Sequence, residues 1–237
     1  MQSRNLAASI HAQVEKYSDR KENALYYKEG DEWKGISWKE FGERIDNTAK
    51  ALLEIGAEEN DMIAIYSENR PEWVICDYAI MSIRCATVAI YATNTAEQAE
   101  YIVNDAKCKI IFVDGQYQYD NVMKFYKGNS KIQHVIVFSK SVKIDENDKN
   151  IMYIDDFYAL GSKSNQDEEL QRRLNSITED DIMSVIYTSG TTGDPKGAML
   201  CHKNFFAEIE ALNSRFPMGE DDIEVVFLPL SHVYEKA

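Results

Sequence analysis

Residues 187–197 read Tyr187-Thr188-Ser189-Gly190-Thr191-Thr192-Gly193-Asp194-Pro195-Lys196-Gly197 and directly follow the apolar pair Val185-Ile186. The segment combines four Ser and Thr residues with three glycines and one lysine. Glycine permits positive φ, so successive backbone N–H groups can converge on an anion, while hydroxyls add donors and lysine adds charge. The composition is also typical of a plain surface turn, so by itself it makes the segment only a candidate for binding the phosphates of a nucleotide.

The spacing separates this segment from the Walker loop of P-loop NTPases. Lys196 is followed by Gly197 and Ala198, where the Walker pattern has Ser or Thr directly after its lysine. The sequence therefore predicts a phosphate-binding loop of a different kind.

Three parts of the chain carry a resemblance to one family. The 187–197 pattern is similar, at every fixed position, to the signature loop of the adenylate-forming superfamily of acyl-CoA synthetases, luciferases and peptide-synthetase adenylation domains. Residues 227–235, which include Pro229, Leu230 and His232, resemble the next motif of that superfamily in its long-chain fatty acyl-CoA synthetase form. The stretches 67–73, 77–80 and 91–93 resemble the same branch.

The resemblance implies the AMP-forming reaction of a long-chain fatty acid–CoA ligase. A fatty acid carboxylate attacks the α-phosphorus of ATP to give an acyl-adenylate and pyrophosphate, and the thiol of CoA then displaces AMP. Mg²⁺ would bridge the phosphate oxygens. The implied nucleotide-binding residues are Thr188, Ser189, Gly190, Thr191, Thr192, Gly193 and Lys196, with Thr188 also a metal ligand and with Lys196 and His232 catalytic.

The same resemblance sets the expected domain organisation. Residues 1–237 would be an incomplete N-terminal adenylation (AMP-binding) domain, with its phosphate-binding loop at 188–197 and the C-terminal domain absent. Such a chain is expected to be inactive by itself, because the family's later motifs are missing. Two alternatives stay open: a non-catalytic nucleotide-binding or interaction module that keeps the loop, and another adenylate-forming ligase acting on an aryl or amino acid.

Composition excludes several other classes. The net charge is −14 and no basic stripe is visible, which argues against binding to nucleic acid. The four cysteines and four histidines show no zinc-ligand spacing, so the cysteines are expected to be reduced thiols of a cytoplasmic protein. A lipid substrate would also permit peripheral contact with a membrane.

Apolar periodicity predicts a layered α/β fold. Short Val- and Ile-rich runs alternate with amphipathic helices from residue 61 onward, which is typical of largely parallel sheets covered by helices on both faces. The predicted strands of this region are 62–66, 86–90, 109–113, 134–138, 151–154, 182–187, 198–200 and 225–228. Residues 161–171 are expected to form an exposed connection.

Overall fold

A computed structural model of the chain describes residues 5–128, 130–188 and 194–232. The helices are α1 (Leu6–Tyr17), α2 (Trp38–Glu54), α3 (Pro71–Ser82), α4 (Ala96–Asp105), α5 (Gln116–Met123), α6 (Ile154–Ser162), α7 (Asp167–Ser176) and α8 (His202–Arg215). A small antiparallel hairpin pairs β1 (Asn23–Glu29) with β2 (Glu32–Ser37). Its turn contains Gly30 at φ +61°, a left-handed conformation that glycine adopts without steric cost.

The main sheet contains β3 (Met62–Ser67), β4 (Ala86–Tyr91), β5 (Ile110–Val113), β6 (His134–Val137), β7 (Ile151–Tyr153), β8 (Ile182–Thr188) and β9 (Lys196–Cys201). Their order across the sheet is β7-β6-β5-β3-β4-β8-β9. Neighbouring strands are parallel from β7 to β8, and β9 alone among them runs antiparallel to its neighbour β8. The carboxyl ends of β3 to β8 therefore share one edge of the sheet.

Both faces of this sheet are buried, as the apolar runs predict. Alternate residues of β3 point to opposite sides, with Ile63 and Ile65 in one core cluster and Ala64 and Tyr66 in the other. The first cluster also takes in residues of α2, α3 and α6, and the second takes in residues of α4 and α5. Helices on both faces confirm the α/β layered fold.

Capping residues fix where the helices begin. The Thr95 side chain accepts a hydrogen bond from Gln98 N while the Gln98 side chain accepts one from Thr95 N, which completes the capping box at the start of α4. Ser37 likewise accepts from Glu40 N at the start of α2, whereas the Glu40 carboxylate pairs with Arg44. These caps satisfy N–H groups that have no partner inside the helix.

Two predictions from the sequence are wrong. Residues 225–228 form no strand, and Val225 and Phe227 are 74% and 78% exposed. The predicted connection 161–171 contains the start of α7 at Asp167.

Close packing explains the position of α6. A Cβ atom on Gly161 would lie 1.7 Å from the backbone oxygen of Asn47, so α6 can approach α2 only with glycine at this point. The α6 residues Ile154 and Phe157 are buried on the same side of the sheet. This contact is between distant parts of the chain, so local patterning does not reveal it.

The cysteines are free thiols, as predicted. Cys76, Cys85 and Cys108 are buried, and Cys201 is half-buried. Burial raises the pKa of the Cys85 thiol to about 12, which keeps it protonated and unreactive. Within the described residues, no helix is both long enough and apolar enough to cross a membrane.

Candidate active site

The β8–β9 hairpin carries the predicted phosphate-binding loop. Thr188 and Lys196 are cross-strand partners at the open end of the ladder, with Cα atoms about 5 Å apart, and both residues are exposed. Ser189, Gly190, Thr191, Thr192 and Gly193 lie outside the described residues. The structure thus places Thr188 opposite Lys196, two members of the predicted site, where the chain leaves and rejoins the sheet.

A tyrosine and a glycine of the signature segment pack against each other. Tyr187 and Gly197 are direct cross-strand partners, and a Cβ on Gly197 would lie 3.0 Å from Tyr187 Cζ and 2.9 Å from Val185 Cγ1. The Tyr187 hydroxyl donates to Asp105 Oδ2 at 2.6 Å. Burial and this bond to Asp105 raise the pKa of Tyr187, so the phenol stays neutral. Gly197 is therefore needed for close approach of the aromatic ring.

Helix α4 holds both ends of the loop. Asp105, at its last turn, binds Tyr187 just before the loop, while the Tyr101 hydroxyl donates to Pro195 O at 3.1 Å just after it. Residues four apart on a helix lie on the same face. One face of α4 therefore supports the hairpin on either side of residues 189–193.

His232 lies on a turn that is attached to the end of β3. The turn is closed by a hydrogen bond from His232 N to Pro229 O at 2.8 Å. The side chain of Asn69 bonds to the backbone of Leu228 and of Leu230, whereas the His232 side chain is exposed. Asn69 follows β3, and Thr188 ends β8, so both lie at the carboxyl edge of the sheet, where the ends of β3 and β8 are about 10 Å apart across two strand spacings.

A polar cavity of about 600 Å³ opens at the same edge. It lies where the neighbouring strands β3 and β5 end. From β3 the chain continues to β4 on one side, and from β5 it continues to β6 on the other side. Arg70, in its wall, pairs with Glu72 at 2.8 Å and also with Asp114. Doubly wound sheets bind ligands at such reversal points. These residues are, however, already paired with one another, so the cavity identifies no ligand.

A separate Ser-His-Asp grouping lies between α1, α2 and α3. His11 Nε2 is 2.9 Å from Ser82 Oγ, and His11 Nδ1 is 3.7 Å from Asp46 Oδ1. Ser82 is fully buried and its hydroxyl donates to Tyr78 O, so it offers no nucleophile to a substrate. The grouping packs helices together.

The chemistry of the Thr188 hydroxyl would suit a magnesium–phosphate complex. Among the described residues no group of three His, Cys, Asp or Glu side chains could hold a metal ion by itself. Mg²⁺ needs no such group at nucleotide sites, where one or two protein oxygens supplement phosphate oxygens and water. The exposed Thr188 hydroxyl at the mouth of the loop could serve as one such oxygen.

Sequence reasoning missed three supporting residues: Asn69, Tyr101 and Asp105. Asn69 falls in a stretch with family resemblance, but its partners lie more than 150 residues later in the chain. Tyr101 and Asp105 share the apolar and polar pattern of any surface helix. Only their four-residue spacing hints that they act on one face.

Comparison with known proteins identifies the family. The family model described as "AMP-binding enzyme" matches residues 10–236. Fatty acyl-CoA synthetase A of Dictyostelium discoideum is 33% identical over 219 residues, covering 89% of this chain and 31% of that protein. Long-chain-fatty-acid–CoA ligase ACSBG2 of Xenopus laevis is 32% identical over 224 residues, covering 93% and 30%. The chain thus spans about a third of the length of these relatives.

Solved structures share the fold. A long-chain-fatty-acid-CoA ligase (FadD1) from Archaeoglobus fulgidus superposes with a TM-score of 0.74 at 21% identity, covering 98% of this chain and 44% of that one. ATP-bound MatB from Rhodopseudomonas palustris gives 0.71 at 20% identity, covering 99% and 42%. Since the family model covers nearly the whole sequence, the chain belongs to the AMP-binding enzyme family.

Proposed function

We propose that the full-length protein is an ATP-dependent, AMP-forming ligase that joins a long-chain fatty acid to CoA. One observation carries the proposal: the β8–β9 hairpin places Thr188 opposite Lys196 around a loop with the composition of a phosphate cradle. The names of the relatives, fatty acyl-CoA synthetase and long-chain-fatty-acid–CoA ligase, support the choice of substrate.

The proposed chemistry activates an unreactive acid. A carboxylate repels a thiolate and has a very poor leaving group, so its oxygen first attacks the α-phosphorus of ATP and pyrophosphate departs. The sulfur of CoA then attacks the acyl carbon, and AMP leaves with the electron pair of the broken C–O bond. Bound Mg²⁺ would supply further positive charge at the phosphates.

Each described residue has a distinct role in this proposal. The Lys196 ammonium stabilises negative charge that grows on the departing pyrophosphate, and the Thr188 hydroxyl contributes an oxygen to the metal. His232 orients the reacting groups by hydrogen bonding or charge. It has no role as a base, because a fatty acid is already ionised at neutral pH.

We also propose a cytoplasmic location, with peripheral contact to a membrane as the source of the lipid substrate. The free thiols of Cys76, Cys85, Cys108 and Cys201 support a reducing compartment. Co-sedimentation of the protein with liposomes of phosphatidylcholine and phosphatidylserine tests the membrane contact.

Lys196→Ala tests the proposed function. In the full-length protein, we expect fatty-acid-dependent exchange between ATP and pyrophosphate to slow by roughly 10²-fold, as for loss of one preorganised donor to a developing anion. Lys203→Ala is the matched control, since Lys203 is an exposed lysine beyond the far end of β9 and pairs with Asp180. Exchange that is equally fast in wild type and Lys196→Ala would contradict the role of Lys196.

A panel of acids separates the proposal from its alternatives. Fatty acids of increasing length, benzoate and amino acids should be compared in the same exchange assay. Preference for a long fatty acid is expected. Preference for benzoate or an amino acid indicates another adenylate-forming ligase, and ATP binding without exchange for any acid indicates a non-catalytic module.

A further inference from the structure

The segment that follows α8 has few attachments to the rest of the described structure. Residues 216–227 are exposed and form no helix or strand, and Phe216, Ile223 and Phe227 are each more than 70% exposed. Early in the segment, Glu220 pairs with Arg20 and Lys16. The position of the next turn, Pro229 to His232, must therefore be set by contacts of its own.

Asn69 makes a two-point clasp on this turn. Its Nδ2 donates to Leu228 O at 2.6 Å, and its Oδ1 accepts from Leu230 N at 2.8 Å. The Asn69 carboxamide thus pairs with one backbone carbonyl and one backbone N–H of residues 228–230. Leu230 is 7% exposed and Ser231 is 2% exposed, so the turn is seated against the core at this point.

The base of the clasp is itself fixed. Asn69 stands two residues beyond β3, a central strand of the sheet. Glu68 N donates to Asp114 Oδ2 at 3.3 Å, and the Arg70 guanidinium pairs with both Glu72 and Asp114. The residues on either side of Asn69 are thus tied to α3 and to the end of β5.

We propose that Asn69 is a positioning residue for acyl-adenylate formation, acting through His232. This inference rests on the proposed function, and adds to it a residue that acts by holding the His232 turn. The clasp holds the His232 turn at the carboxyl edge of the sheet, the edge at which β8 ends with Thr188. A displacement of about 1 Å in such a group costs up to about 100-fold in rate.

The test compares three variants of the full-length protein: Asn69→Ala, His232→Ala and the double variant. Fatty-acid-dependent exchange between ATP and pyrophosphate is measured for each. We expect Asn69→Ala to lower kcat about 10- to 100-fold with little change in the KM for ATP. The double variant should be no slower than His232→Ala, because residues that act as one unit are not additive.

Asn5→Ala is the matched control. The Asn5 side chain makes a similar two-point contact, accepting from Ala8 N and donating to Leu174 O, but it serves α1 and α7. Loss of the Asn5 side chain should lower the unfolding temperature but leave the rate of exchange between ATP and pyrophosphate unchanged. A general effect of losing a backbone-bonded asparagine would instead slow exchange in both variants.

Hydrogen exchange followed by mass spectrometry gives a readout that does not depend on activity. Asn69→Ala should speed exchange in the peptide containing Leu230, whose N–H loses its acceptor. Unchanged protection there, unchanged kcat in Asn69→Ala, or effects that multiply in the double variant would each overturn the positioning role. If the wild-type protein catalyses no exchange between ATP and pyrophosphate with any acid, the proposed function is overturned as well.

Discussion

Gly197 shows why one position of the signature segment admits no side chain. Its cross-strand partner Tyr187 crosses above it, and the ring is fixed from its other end by the bond to Asp105. The space above the Gly197 Cα is therefore occupied. The glycine is needed for packing within the hairpin, in addition to any role in phosphate binding.

Gly197→Ala is expected to destabilise the protein by about 1 to 3 kcal/mol, the usual cost of overpacking. The new Cβ would lie 2.9 Å from Val185 Cγ1 and 3.0 Å from Tyr187 Cζ, so the hairpin must shift. Urea unfolding measures the cost. Gly219→Ala is the control, because its Cβ would make an ordinary contact of 3.7 Å with Asp222. Equal stability of Gly197→Ala and wild type would contradict this account.

Among the elements, α4 contacts the β8–β9 hairpin on both sides of residues 189–193. The helix packs its Ala99, Ile102 and Val103 side chains into the core and turns Tyr101 and Asp105 toward the hairpin. A capping box fixes its start. The hydrogen bonds from Tyr101 to Pro195 and from Tyr187 to Asp105 thus attach both ends of the loop to α4.

Tyr101→Phe is expected to weaken ATP binding by the full-length protein several-fold, with little effect on global stability. The variant keeps the ring and loses one hydrogen bond to Pro195 O, worth about 1 kcal/mol. Calorimetry with ATP measures the change. Tyr153→Phe is the matched control, since its hydroxyl also donates to a backbone carbonyl, that of Val142. Equal losses of ATP affinity in the two variants would argue against a specific role for α4.

The strength of the apolar pattern decided which elements could be predicted from the sequence. Strands β3 to β6 were predicted to within a residue at each end, because strands buried on both faces must be continuous apolar runs. Helix α7 buries only Leu170 and Leu174, so its apolar stripe is thin. Its charged sequence is equally typical of a solvated loop.

At the scale of the whole molecule, the sequence predicted an α/β sheet with helices on both faces but could not predict the order of the strands. That order depends on contacts between strands separated by helices. The run Val225–Leu228 has the apolar composition of a strand, yet it has no strand partner in the described part of the chain. At the site, the loop and His232 could be predicted because each belongs to a local sequence motif. Asn69, Tyr101 and Asp105 could not, because their partners are distant in the sequence.

Global stability should depend on pH through an ion-pair network that joins α7 to the body of the molecule. Glu169 bonds to Arg172 and Arg173, and Arg173 also donates to Ala57 O and Ile83 O. The bonds from Arg172 and then Arg173 lower the pKa of Glu169 from 4.5 to about 2. Since the folded pKa is depressed, this stabilisation is complete above pH 4.5 and is lost as pH falls toward about 2.

Glu169→Gln tests this dependence. Wild type should exceed the variant in free energy of unfolding near pH 7, and the difference should shrink as the pH falls below about 4.5. Urea unfolding at a series of pH values measures it. Glu168→Gln, at the exposed neighbouring carboxylate, is the control. A difference that stays constant with pH would show that the Glu169 charge is not involved.

The antiparallel direction of β9 has an electrostatic consequence for the proposed phosphate site. In a strand–loop–helix unit the amino end of the helix, with roughly half a positive charge, faces the bound phosphate. Here the loop returns into a strand, and α8 begins only beyond Cys201, about 20 Å along β9 from the mouth of the loop. The amino end of α8 lies at the opposite edge of the sheet, so its dipole adds no positive charge at the proposed phosphate site.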